Sequence, residues 1–187
     1  MSQFLKACGL AIRVLESPCE SFQKGYVIQV IIYYTHSQKT KVFAQALHSV
    51  LGLPLHELGS DLNNKTSLRF LLHALYLAIS GKNYPATNMP SIIPSEIYVC
   101  GPVWGGHLAG PVRYFLDNCG LKKTKVNILI TAAQPVEKYK ENGIRLLSSL
   151  ECIPGRVLLF ATGKGLPELD VVSQQIREIL NDLTHDF

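Results

Sequence analysis

The sequence predicts an α/β fold, a doubly wound five-stranded parallel sheet with helices on both faces. Three observations carry this. Strand-like and helix-like patterns alternate along the chain, with five strands in all, which implies right-handed βαβ crossovers. The stretch "YVIQVIIYY", residues 26–34, is apolar almost throughout, as in a strand buried on both faces. Of the 187 residues, 47% are apolar and 17% charged, against about 25% charged in ordinary domains.

Residues 1–25 read as an N-terminal extension, set apart by Pro18, Ser21 and Gly25. Lys6 and Arg13 interrupt its apolar stretch, unlike a signal peptide. The domain itself is expected over 26–187. After the first strand a helix over 40–51 ends at Gly52, and "LPLHEL" supplies a short second strand. "TSLRFLLHALYLAIS", 66–80, reads as a helix that is apolar almost all round. Such a helix is either deeply buried or part of an interface, so a homodimer is one expectation. "SEIYVCG", 95–101, is the third strand, and 111–118 a short helix with Pro111 in its first turn. "KVNILIT", 125–131, and "RVLLFAT", 156–162, are the last two strands, with a helix over 136–150 between them. A final helix runs from about 168 to 183.

Composition narrows the function classes. The net charge is +4 with scattered basic residues. The one tight group, Lys122, Lys123 and Lys125, reads as a solvated turn, so no nucleic-acid partner is expected. No apolar run reaches the roughly 18 residues of a bilayer span, so no membrane partner is expected either. Five cysteines with no CxxC pair indicate neither a disulfide framework nor a zinc site. Reduced thiols suggest a cytoplasmic protein. Cys100 reads as core, with no obvious His partner motif for a nucleophile.

Sheets of this kind bind ligands beyond the carboxyl ends of their strands, so the informative loops are 35–40, 101–110, 131–135 and 162–167. The first is Thr35, His36, Ser37, Gln38, Lys39, Thr40. Its three hydroxyls precede a helix start, where unpaired N–H groups and the dipole favour an anion. They either hold a phosphate or simply cap the helix through Ser37 or Thr40. The loop lacks the glycines and the GK[ST] ending of a Walker motif. The second, "CGPVWGGHLAGPVRYFLDN", displays the only Trp of the chain beside Gly105 and Gly106. Trp104 either offers a stacking face to a planar ligand or anchors the loop. His107 is either a proton donor or a surface residue. Gly163, Lys164 and Gly165 either meet an anion or form a plain turn.

A strand followed by T-x-S-x-x-T and a helix, with "IYVCGPVWGGHLAGPVRYFLDN" at the third strand, resembles the flavodoxin family over about residues 26–183. The resemblance implies strand order 2-1-3-4-5 and non-covalently bound FMN. It implies that Thr35, Ser37 and Thr40, with the amides of His36, Gln38 and Lys39, hold the FMN phosphate. Pro102, Val103, Trp104, Gly105 and Gly106 would lie against the flavin ring. Thr131, Ala132 and Ala133 would approach its pyrimidine edge. The family usually carries Gly where Gln38 stands, and Gln38 can substitute if its backbone does not need a positive φ.

Three functions follow as expectations. One is an FMN-dependent oxidoreductase passing electrons from NAD(P)H to a quinone or similar small acceptor. Another is an electron carrier, though such flavodoxins tend to be acidic and this chain is at +4. The third is a flavin-free binding module. A receiver domain shares the strand order but needs acidic strand ends, where this chain has Thr35, Gly101 and Thr131.

Overall fold

The structure, a computed structural model, describes residues 29–61, 68–69, 72–73, 76–77 and 83–182. The N-terminal extension expected over 1–25 lies outside the described residues.

The elements follow in the order β1 (Gln29–Tyr33), α1 (Lys39–Leu51), β2 (Leu55–Glu57), β3 (Glu96–Trp104) and β4 (His107–Leu108). Then come α2 (Gly110–Asn118), β5 (Lys125–Ala132), α3 (Glu137–Ser149), β6 (Ile153–Ala161) and α4 (Leu169–Asp182). The main path of the sheet runs β2-β1-β3-β5-β6, and every pairing along it is parallel. This is the expected 2-1-3-4-5 order, counted over the parallel strands.

Strand alternation splits the core into two layers. Ile32, Tyr34, Ile97, Val99, Val126, Ile128 and Ile130 pack with Val112, Phe115 and Leu116 of α2 and Leu147 of α3. Ile31, Tyr33, Cys100, Leu129 and Phe160 face the other way, against Phe43 and Leu47 of α1 and Val172 and Ile176 of α4. Burying each large apolar side chain contributes about 1.5–3 kcal/mol, so strands filled on both faces are the stable centre. The helices stop where the chain allows it. Gly52 closes α1 at φ 69°, its N–H donating to the carbonyl of His48, a conformation that glycine adopts without strain.

Two features depart from the expectations. A two-residue strand, β4, folds back antiparallel on β3, pairing Val103 with Leu108 and Trp104 with His107. β3 therefore runs on to Trp104, and Gly105 and Gly106 form the turn at φ 56° and 90°. Two positive φ angles in a two-residue loop match the natural twist of a hairpin. The other departure concerns 66–80, much of which lies outside the described residues. Leu68, Leu72 and Tyr76, in helical segments, are 68%, 60% and 54% exposed, while Leu77 is buried. Leu68, Leu72 and Tyr76 are thus open rather than buried. No helix among the described residues is long and apolar enough to cross a membrane.

Candidate functional site

The loops after β1, β3, β5 and β6 meet at one end of the sheet. Between those after β3, β5 and β6 lies a pocket of about 720 Å³. Val103, Gly105 and Gly106 wall it on one side, and Ala132, Ala133 and Gln134 on another. Tyr139 of α3 and Gly163 and Lys164 after β6 complete it. Seven residues singled out in the sequence, Val103, Gly105, Gly106, Ala132, Ala133, Gly163 and Lys164, therefore come together here. Backbone surfaces at glycines and alanines leave room for a flat ligand to approach closely.

The β1–α1 loop is arranged differently from a capped helix. Gln38 occupies the N-cap position of α1 and its side chain makes no capping hydrogen bond. The hydroxyls are not caps either. The Thr40 and Thr131 hydroxyls hydrogen-bond each other at 2.8 Å, both residues being buried, and Thr131 also donates to the carbonyl of Gly101 at 3.4 Å. They tie α1 to the end of β5 from below. Ser37 is exposed and His36 half-buried. Thr35 is 3% exposed, and its hydroxyl has no hydrogen-bond partner among the described residues. A buried hydroxyl without a partner costs about 1–3 kcal/mol. That cost is removed if a ligand oxygen meets it.

Gln38 corrects one expectation. Its backbone sits at φ 63°, ψ −12°, so the position does demand the left-handed conformation. A side chain there costs about 1–2 kcal/mol. Lys39, next along, ties the loop across the site. Its Nζ donates to the carbonyl of Gly163 at 2.7 Å and to that of Lys164 at 3.3 Å. The β1–α1 loop thus positions the β6 loop that walls the pocket.

The β3–β4 hairpin is braced from both sides. Trp104 meets Tyr34 edge-on, with ring centroids 5.6 Å apart at 83°, a geometry contributing about 0.5–1.5 kcal/mol beyond area. The half-buried indole packs against the core, and Trp104 is not among the described residues lining the pocket. Asn142 of α3 donates to the carbonyl of Gly106 at 2.7 Å. The half-buried Pro102 accepts from the amide of Ala109 at 2.9 Å. Gly101 carries no side chain because a Cβ there would sit 2.8 Å from Val112 and 3.3 Å from Leu108. The thiol of Cys100, fully buried, is pushed up by desolvation, which leaves it inert as a nucleophile.

Tyr139 was not singled out from the sequence. It stands in the first turn of α3, and nothing in its local pattern distinguishes a pocket wall from an exposed helix start. Gln134 belongs to the "TAAQP" loop and was legible only as part of it.

No protein-family model matches the chain, and no curated protein matches it. Solved structures do. A flavoprotein from Lactobacillus acidophilus in complex with FMN superposes with a TM-score of 0.59 at 20% identity, covering 72% of this chain and 93% of that one. The chain has the flavodoxin-like fold. A putative flavoprotein from Bacteroides eggerthii gives the same TM-score, 0.59, at 13% identity over 81% of this chain and 97% of that one. A further putative flavoprotein, from Bacteroides uniformis, gives 0.58 at 13% identity over 80% and 97%. In this flavodoxin-like fold the pocket lies beyond the carboxyl ends of β3, β5 and β6, the end of the sheet at which doubly wound folds take their ligands.

Proposed function

We propose that the chain is an FMN-binding oxidoreductase that passes electrons from NAD(P)H to a quinone or similar small acceptor. The observation that carries it is the unpartnered buried hydroxyl of Thr35 beside an uncapped helix start, at the same sheet end as the 720 Å³ pocket.

The residues fit the cofactor. Thr35 and Ser37, with the amides of His36, Gln38, Lys39 and Thr40, would hold the phosphate. Hydrogen bonds to a charged partner contribute about 1.5–3 kcal/mol each, so a few neutral donors suffice for a dianion. Pro102, Val103, Gly105 and Gly106 would flank the ring, with Trp104 bracing their hairpin. Thr131, Ala132 and Ala133 would meet its polar edge. FMN supplies the hydride and electron chemistry when bound. The chain contributes position and enclosure. Gly105 and Gly106 present bare backbone, Tyr139 closes a wall against water, and Lys39 holds Lys164 and its cationic side chain at the rim.

The Lactobacillus protein that superposes on this chain was crystallised with FMN, which supports the cofactor. The net charge of +4 favours small-molecule turnover over docking to a basic protein partner. The test is to load the protein with FMN, add NADH or NADPH without oxygen, and follow the visible flavin band. Bleaching by either donor and recovery on adding a quinone are expected. A band that neither donor bleaches would sink the reductase assignment and leave FMN binding standing.

A further inference from the structure

Behind the β3–β4 hairpin, on the side away from the β6 loop, lies a second cavity of about 320 Å³. It sits between the hairpin, α2 and α3. Its polar lining includes two guanidinium groups, Arg113 from α2 and Arg145 from α3, beside the neutral Asn142 and Ser149 of α3 and His107 of β4. No Asp or Glu is among the described residues lining it. The rest of the wall is apolar, with Leu108, Ile130 and Leu146. Val103, Gly106 and Tyr139 line both this cavity and the larger pocket, so the two spaces share a wall at the hairpin tip.

Acidic groups stand close but outside. Asp117 acts on Arg113 from the next turn of α2, while burial holds the Arg113 guanidinium below its ordinary value. Glu141 lies 3.9 Å from Arg145, with both side chains largely exposed, and a long exposed pair of this kind holds weakly. Arg145 is also oriented by a 3.0 Å hydrogen bond to the Asn142 side-chain oxygen, and Asn142 in turn holds the hairpin at Gly106. One residue thus links a cavity guanidinium to the backbone of the candidate cofactor pocket.

We propose that this cavity is a binding site for a small organic carboxylate with a flat apolar body. Planar guanidinium groups match the two oxygens of a carboxylate, and the apolar side of the wall receives the body. The volume falls within the range of small-molecule sites, about 300–1,000 Å³. Naming the occupant as the substrate of a flavin reaction rests on the function proposed above. The binding itself does not.

The test is calorimetric titration of the purified full chain, without and with saturating FMN, using benzoate, benzamide and inorganic phosphate. Benzoate is expected to bind, with the neutral benzamide about tenfold weaker or worse. Arg113→Met and Arg145→Gln are each expected to weaken benzoate severalfold while leaving FMN affinity unchanged. Arg145 is 70% exposed, so its variant stays informative if the Arg113 variant fails to fold. Equal affinity for benzoate and benzamide, binding of phosphate but not benzoate, or no effect of Arg145→Gln would each overturn the site. Benzoate binding in a protein that does not take FMN upholds the cavity and removes the flavin assignment. FMN binding without benzoate does the reverse.

Discussion

Thr35→Val should make the flavin-free protein more stable and its flavin complex weaker. Valine keeps the branched shape of threonine and replaces only the hydroxyl. Thr35 is 3% exposed, and that hydroxyl lacks a partner among the described residues. Removing an unpaired buried hydroxyl recovers about 1–3 kcal/mol of desolvation cost. For a domain of this size each kcal/mol raises Tm by about 2–4 °C, so thermal unfolding by circular dichroism should show a clear rise. The same hydroxyl, once a phosphate oxygen reaches it, contributes about 1.5–3 kcal/mol. FMN affinity should therefore fall roughly ten- to a hundredfold in a fluorescence-quenching titration. Riboflavin, which has no phosphate, should bind the variant and the parent alike. A flavin-free variant that melts lower, or one that binds FMN as well as the parent, would refute the reasoning.

Other outcomes follow from single contacts. Gln38→Gly should stabilise the fold by up to about 1 kcal/mol in urea unfolding, since relief of the φ 63° backbone outweighs the added freedom of the unfolded chain; Gln38→Val should destabilise it. Gly101→Ala should cost about 1–3 kcal/mol, because the new methyl would stand 2.8 Å from Val112, and the same unfolding assay reads it. Glu96 accepts from Gln29 at 2.6 Å and Asn127 at 2.9 Å, and pairs with Lys125 at 3.2 Å. Burial raises its carboxyl, but these partners outweigh burial and hold it below the usual Glu value. A depressed folded-state value means that stability is present above about pH 4.3 and is lost as pH falls through the lower folded value. Glu96→Gln should accordingly lower Tm at pH 7 and flatten its decline under acid.

The strands most legible in the sequence were those buried on both faces. β1, β3 and β5 are nearly continuous apolar runs, and their cores turned out filled from both layers. β6 was legible only in part. Its start at Ile153-Pro154-Gly155 looks like a turn, yet β6 is an edge strand, where a proline leaves no ladder bond unmade. β4 was hidden because two residues are too few for a period, although Gly105-Gly106 is a hairpin signal in itself. At the site, the strand-end rule pointed to four loops, and the pocket brings Val103, Gly105 and Gly106 together with Ala132, Ala133, Gly163 and Lys164 from three of them. What the sequence could not separate was the work of the hydroxyls. Thr40 and Thr131 bond each other across 91 positions, a pairing with no local signal. Thr35 is distinguished from them only by what it lacks.

The most direct measurement is a paired titration of the purified protein with FMN and with riboflavin, reading flavin fluorescence. A phosphate held by Thr35, Ser37 and the helix start predicts quenching by both, with FMN at least about tenfold tighter. Equal affinities, or no quenching by FMN, would contradict the assignment of the β1–α1 loop and with it the central claim.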